Sequence, residues 1–241
     1  RRLQKPVFWA ADRGESFLSD EHARAVSGTA SLGLDKDGNF TALWVDARID
    51  AGAYLSRRTK GLLNNMGGVA GQYKTPAIAT QMSFFFTNTM QTSPYRGFGR
   101  PEATYVIERL IDQAARETGH DALALRQQNL VSPDAMPYQT ALTFLYDCGD
   151  FPRIVAAAAK NADYAGFAER RKDSQSRGLL RGIGIANPIE VAGGPLKQVR
   201  KDIARITVRL DGQIVITPGL MSVGQGHETA LARMASIRLG V

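Results

Sequence analysis

Ser93-Pro94-Tyr95-Arg96-Gly97-Phe98-Gly99-Arg100-Pro101-Glu102 sets an aromatic ring between two glycines, an arginine outside each glycine, and a proline where a helix can begin. Proline suits the first helical turn because the N–H it lacks would have no partner there. The run that follows fits a helix. Ala103, Val106, Ile107, Leu110, Ile111 and Ala114 fall on one stripe, with Glu108, Arg109, Asp112, Gln113 and Arg116 mostly opposite. The pattern predicts a helix over 101–117, an Asp112–Arg116 pair one turn apart, a stop at Gly119, and a second short helix from a cap at Asp121 through Gln128. At the helix entry, glycines let backbone approach a ligand closely. The helix start offers N–H donors to an anion, and arginine adds a planar fork for phosphate or oxo groups. Two readings of the loop stand side by side. It is a site for an anionic cofactor with a flat substrate beside Phe98, or a tight helix entry in which Phe98 plugs the core and Arg96 makes a surface ion pair.

Working outward, Val26–Leu34 and Phe40–Ile49 alternate as strands around Asp35-Lys36-Asp37-Gly38-Asn39, a turn because Asp-Gly and Asn tolerate positive φ. Gly52-Ala53-Tyr54 breaks the second strand, and Val7-Phe8-Trp9 reads as strand-like. Residues 61–72 read as a loose helix or a loop. Residues 78–87 read as another strand, whose phenylalanines at 84–86 suit a sheet buried on both faces. Over 132–150 the composition shifts to Pro, Tyr, Asp and Gly, which sets a domain boundary at 147/148. Helices are expected over 151–160 and 162–171, a charged linker over 170–177, and a closely packed strand over 182–186. A second hairpin, 203–210 and 213–217 around Asp211-Gly212, leads through Ser222-Val223-Gly224-Gln225-Gly226-His227-Glu228 into a helix over 229–238. The expected fold class is α+β, with two subdomains of β-hairpins and small sheets packed with helices.

Composition narrows the function. The 241-residue chain has no apolar run long enough to span a bilayer and no signal-peptide pattern at its basic N-terminus. Both ends read as cut, so the chain is expected to be an internal piece of a longer polypeptide. One cysteine, Cys148, excludes a disulfide framework within it, and three scattered histidines give no metal-ligand spacing. His227 reads as a satisfied structural histidine. The net charge of +7 keeps a basic nucleic-acid-binding module as an alternative, although the basic clusters carry no interleaved aromatic platform. Gly67-Gly68-Val69-Ala70-Gly71 lacks the Gly-Lys-Ser/Thr of a phosphate-binding P-loop. Gly182-x-Gly184 fails the dinucleotide fingerprint at Asn187, and no Gly-x-Ser-x-Gly elbow occurs.

Several ordered motifs carry a resemblance. Pro94–Glu102, then Ala103-Thr-Tyr-Val-Ile-Glu-Arg-Leu110, Leu125-Arg-Gln-Gln-Asn-Leu130 and Ser222–Thr229, with Trp9-x-x-Asp12-Arg13-x-Glu15 and Gly52-Ala53-Tyr54 upstream, resemble the molybdopterin-binding large subunit of the xanthine dehydrogenase / aldehyde oxidase / aerobic carbon monoxide dehydrogenase family. The resemblance implies a molybdenum hydroxylase that takes its oxygen from water, oxidises an aldehyde or N-heterocycle, and passes electrons to 2Fe-2S and FAD centres on partner domains or subunits. In that family the metal is held by a pterin, here expected in its cytosine dinucleotide form, so no protein side chain need ligate it. Carried onto this chain, residues 1–147 and 148–241 would belong to two cofactor-binding subdomains. Arg96 with Gly97 and Gly99, and Gln225 framed by Gly224 and Gly226, would contact the cofactor. Phe98 and Asn64 would face the substrate. The stretch after Arg96 lacks the cysteine that holds copper in carbon monoxide dehydrogenase, and Asn64 stands where purine-specific members carry arginine. Carbon monoxide and purines are therefore disfavoured. The family's base glutamate is expected beyond residue 241, so no catalytic residue is assigned here and turnover by this piece alone is not expected. A catalytically inactive relative is a third reading. A cytoplasmic location is expected, with the periplasm as the alternative.

Overall fold

The computed structural model describes residues 2–56, 61–190 and 202–240. The chain divides into two compact units, Arg1–Glu190 and Val191–Val241. Each mixes small sheets with helices, as an α+β chain should.

In the first unit, α1 (Arg13–Ser19) starts at a reciprocal cap. The Asp12 carboxylate accepts from the Glu15 amide and the Glu15 carboxylate accepts from the Asp12 amide. The Asp12-Arg13-x-Glu15 motif is thus helix-start chemistry. Val7-Phe8-Trp9, expected as strand-like, pairs with no strand, and Phe8 and Trp9 are exposed. Next, β1 (Val26–Leu34) and β2 (Phe40–Gly52) form the expected antiparallel hairpin, whose turn is tied by Asp35 accepting from the amides of Asp37 and Asn39. On its other side β2 pairs in parallel with β3 (Ala77–Phe86), giving the order β1-β2-β3. A parallel neighbour needs a crossover. It contains α2 (Gly61–Met66) and a buried 3₁₀ turn, Gly67–Ala70. The central strand buries Leu43, Val45, Ala47, Ile49 and Ala51 at alternating positions. Phe85 and Phe86 are exposed, against the expectation of a strand buried on both faces. The reason is position: β3 is an edge of this three-stranded sheet.

Helix α3 (Arg100–Thr118) ends at Gly119 in left-handed backbone, and α4 (Ala122–Asn129) starts at Asp121, whose carboxylate accepts from two amides of the first turn. Ile107 and Ile111 are fully buried on α3, each worth roughly 1.5–3 kcal/mol of transfer free energy. Glu108, expected on the solvent side, is buried too. Asp112 turns to Arg126 rather than to Arg116. The Leu125–Leu130 motif clips α4 to the first hairpin. The Asn129 side-chain oxygen accepts from the Phe40 amide, while its nitrogen donates to the carbonyls of Gly38 and Leu125. Gln128 donates to the Asp37 carbonyl. A two-residue ladder, β4 (Tyr138–Gln139) with β5 (Leu145–Tyr146), follows. Then come α5 (Phe151–Asn161) and α6 (Phe167–Ser176), so most of the linker expected at 170–177 is helix. Residues 182–186 form no strand. A Cβ on Gly182 or Gly184 would meet nothing within 4 Å, so the close packing expected there is absent.

The second unit carries β6 (Ala204–Val208) and β7 (Ile214–Pro218), an antiparallel hairpin around Asp211-Gly212, and then α7 (His227–Leu239). Gly212 takes φ +83° and the Asp211 carboxylate accepts from the Gln213 amide, which is the turn chemistry the sequence predicts. Among the described residues no helix is long and apolar enough to cross a membrane.

Candidate functional site

The first glycine loop is held by the chain on both sides of it. Residues 89–93 thread between the end of β2 and the segment before β1. The Ala53 amide donates to the Thr89 carbonyl, the Thr92 amide to Ala51, the His22 amide to Gln91, and the Ser93 amide to His22. A Cβ on Gly52, at φ +71°, would stand 2.2 Å from the Met90 carbonyl oxygen, so Gly52-Ala53-Tyr54 is a close-approach point. The loop is then two consecutive turns. The Phe98 amide donates to the Tyr95 carbonyl at 2.8 Å and the Arg100 amide to the Gly97 carbonyl at 3.1 Å. Gly97 and Gly99 both adopt φ +90°, a region that side chains rarely enter. A Cβ on Gly99 would lie 2.8 Å from Asn65 Cβ and 3.0 Å from the Leu62 carbonyl oxygen.

Phe98 is half-buried, against the face of α2 at Gly61, where an added Cβ would come within 3.3 Å of the ring. Its backbone carbonyl accepts from Asn65 Nδ2. Asn64 lies in the same helix, but its side chain falls outside the described residues. Arg96 is exposed, and its guanidinium has no ion-pair partner among the described residues, so the surface pair of the alternative reading is not formed. Arg100 differs: its Nε meets Glu190 Oε1 at 2.7 Å.

Two side chains that brace this loop carried no signal in the sequence. Asn65 is one. The other is Arg24, whose Nη2 donates to the Arg96 carbonyl at 2.6 Å, whose Nη1 reaches Glu102 Oε2 at 3.4 Å, and whose guanidinium lies 5.2 Å from the Tyr95 ring centroid. Glu102 Oε2 also accepts from the Gly99 amide at 2.9 Å, closing half of a capping box at the start of α3. Arg24 itself sits at φ +63°, a backbone state that costs a residue with a side chain of order 1–3 kcal/mol. An arginine in an irregular stretch offers no periodicity or motif from which such a role could be read.

Behind the loop, α3 is anchored by a buried polar cluster. Arg126, 0% exposed, donates to Glu108 Oε2 and Asp112 Oδ1, each at 2.8 Å, and to the carbonyls of Ala122, Glu108 and Ile185. Tyr73 donates to Glu108 Oε1 at 2.7 Å and accepts from Asn187 Nδ2. Burial and the Glu108 carboxylate push the Tyr73 hydroxyl far above its ordinary pKa. Burial works against the charge on Arg126, but Glu108, Tyr73 and Asp112 together outweigh it and hold the guanidinium above its usual value. Every partner is matched, so the cluster is a rigid support.

The second loop is built differently. Gly224 takes φ +106° and Gly226 φ +72° immediately before His227 opens α7, and a Cβ on either glycine would meet nothing within 4 Å. Gln225 is exposed. Its Oε1 accepts from the Val223 amide at 2.6 Å, and its Nε2 has no partner among the described residues. The Gly226 cap supplies no side chain to the first turn of α7. His227 is half-buried and its Nδ1 has no partner among the described residues, so the expectation of a satisfied structural histidine is not met there. No group of three or more His, Cys, Asp or Glu able to hold a metal occurs among the described residues.

The family described as "Molybdopterin cofactor-binding domain" matches residues 1–130, and a second family of that description matches residues 157–241. The chain is 29% identical over its whole length to the 6-hydroxypseudooxynicotine dehydrogenase complex subunit gamma of Paenarthrobacter nicotinovorans, covering 31% of that protein. It is 31% identical over 99% of its length to the carbon monoxide dehydrogenase large chain of Afipia carboxidovorans, covering 32% of it. Its fold is similar to that of quinoline 2-oxidoreductase from Pseudomonas putida 86, with a TM-score of 0.85 and 30% identity over 98% of this chain and 31% of that one. The chain thus spans about a third of the length of the relatives it matches.

Proposed function

The chain belongs to the molybdopterin cofactor-binding domain family, and we propose that it supplies the cofactor-facing loops of a molybdenum hydroxylase that oxidises an N-heterocycle or aldehyde. The relatives named for quinoline and for 6-hydroxypseudooxynicotine favour the heterocycle. The large-chain and complex-subunit names among the relatives favour separate 2Fe-2S and FAD partners. The cytosine dinucleotide form of the cofactor and a cytoplasmic location, with the periplasm as alternative, belong to the same proposal. So does a subdomain boundary at 147/148, which lies in the interval between the matched ranges 1–130 and 157–241.

What carries the reading is the kind of group left over at the two loops. In each unit, two positive-φ glycines frame one side chain at the mouth of a helix, and the unused polar groups there are donors: the Arg96 guanidinium and the Gln225 amide nitrogen. Donors are what a ligand rich in phosphate, oxo and pterin acceptor atoms requires, so these residues fit the group. When bound, the cofactor supplies the two-electron oxidation with water-derived oxygen. Arg96 and the backbone at Gly97 and Gly99 would hold and orient it, Gln225 between Gly224 and Gly226 would donate to it, and the Phe98 ring, with Asn64, would set the plane of the substrate. Glycines at 224 and 226 leave open backbone for a ligand to approach.

The test uses the full-length enzyme complex with quinoline and benzaldehyde as probe substrates. Phe98→Ala should raise KM about tenfold, the loss of an aromatic stack with its buried area, while molybdenum content stays at wild-type level. Arg96→Ala should lower molybdenum content or turnover. Metal loss in the Phe98 variant, or wild-type content and rates in the Arg96 variant, refutes the corresponding role.

A further inference from the structure

We propose that Arg24 is a positioning residue, a brace that fixes the Tyr95–Gly99 loop in its working shape from outside the loop. The proposal rests on the reading of that loop as cofactor- and substrate-facing. Its grounds are separate, and there are four.

The guanidinium makes three different contacts, all to the loop or its helix start: a 2.6 Å hydrogen bond to the Arg96 carbonyl, an ion pair with Glu102, and a ring face on Tyr95. The Glu102 carboxylate that it holds is the one that accepts from the Gly99 amide, so Arg24 acts on both glycine turns at once. The side chain of Glu102 is 8% exposed and that of Arg24 34%, so the link runs from the surface inward to the part-buried Gly99 amide. The segment carrying Arg24 is itself registered to the irregular segment feeding the loop, through the His22–Gln91 and Ser93–His22 backbone bonds and Gln91 donating to Glu21. The fourth ground is the backbone of Arg24, held in the left-handed region, where a side chain is retained only when its surroundings demand it. Lysine could not reproduce the arrangement, because it lacks the planar fork that reaches a carbonyl and a carboxylate together.

The test compares Arg24→Ala, Arg24→Lys and Tyr95→Leu in the full-length complex. Hydrogen exchange of the Phe98 and Arg100 amides, which needs no substrate, is read beside KM and kcat for quinoline and benzaldehyde and beside molybdenum content. In Arg24→Ala those amides should exchange roughly tenfold faster or more, as loss of a charged hydrogen bond implies. Turnover should fall roughly ten- to hundredfold at unchanged molybdenum content. Arg24→Lys should fall between wild type and alanine, and Tyr95→Leu should show a smaller effect of the same sign. Unchanged exchange in Arg24→Ala overturns the brace, as does a reduced folded yield with wild-type kinetics and exchange in the folded fraction. Faster exchange with wild-type kinetics in all three variants supports the brace and overturns the functional reading of the loop instead.

Discussion

The two glycine loops have nearly the same local grammar and opposite surroundings. Each sets two positive-φ glycines around one side chain before a helix. At the first, the glycines are demanded twice, by φ and by neighbours that leave no room for a methyl group at Gly99. At the second, only φ demands them, and the space beside them is open among the described residues. The supports differ too. Helix α3 buries six residues and is tied to Arg126, whereas α7 buries none among the described residues. One motif can therefore be a packed joint in one place and an open rim in another, and its sequence does not say which.

The contrast can be broken in order of expected effect. Arg126→Ala should act most strongly, by about 3–5 kcal/mol, because it strands Glu108 as a buried charge. Hydrogen exchange of α3 and α4 amides in the full-length protein reads this directly, and intact protection there would mean that the cluster is not the support of the first loop. Gly99→Ala should follow at about 3 kcal/mol, combining left-handed strain with the clash at Asn65 and Leu62. Gly226→Ala should cost only about 1–2 kcal/mol, the strain alone. Thermal unfolding of the two variants measures the gap. Equal costs would erase the difference between a packed and an open loop.

Much of this was readable from the residues. Asp-Gly turns at 37–38 and 211–212 placed both hairpins, and the apolar stripe with Pro101 and Gly119 placed α3 within a residue at each end. Both glycine loops stood out because paired glycines in front of a helix need a reason. Most of the misses come from reading polarity as position. Charge suggests solvent, which puts Glu108 on the outer face and makes the second half of α6 a linker, whereas a charge with enough partners can be buried and a polar helix can lie at the surface. Apolarity suggests burial, which puts Phe84–Phe86 inside, whereas Phe85 and Phe86 are exposed. Arg24 was beyond reach because its role depends on contacts more than 70 residues away in the chain.

The Asn129 amide has a consequence for the order of events on the ribosome. It completes the tip of the first hairpin across a separation of 89 to 91 residues, donating to Gly38 and accepting from Phe40. A nascent chain that has emerged only as far as β2 can pair its strands but cannot finish their tip, and long-range closure of this kind is slow. The tip of this hairpin must therefore wait, part-made, for a side chain translated 89 to 91 codons later.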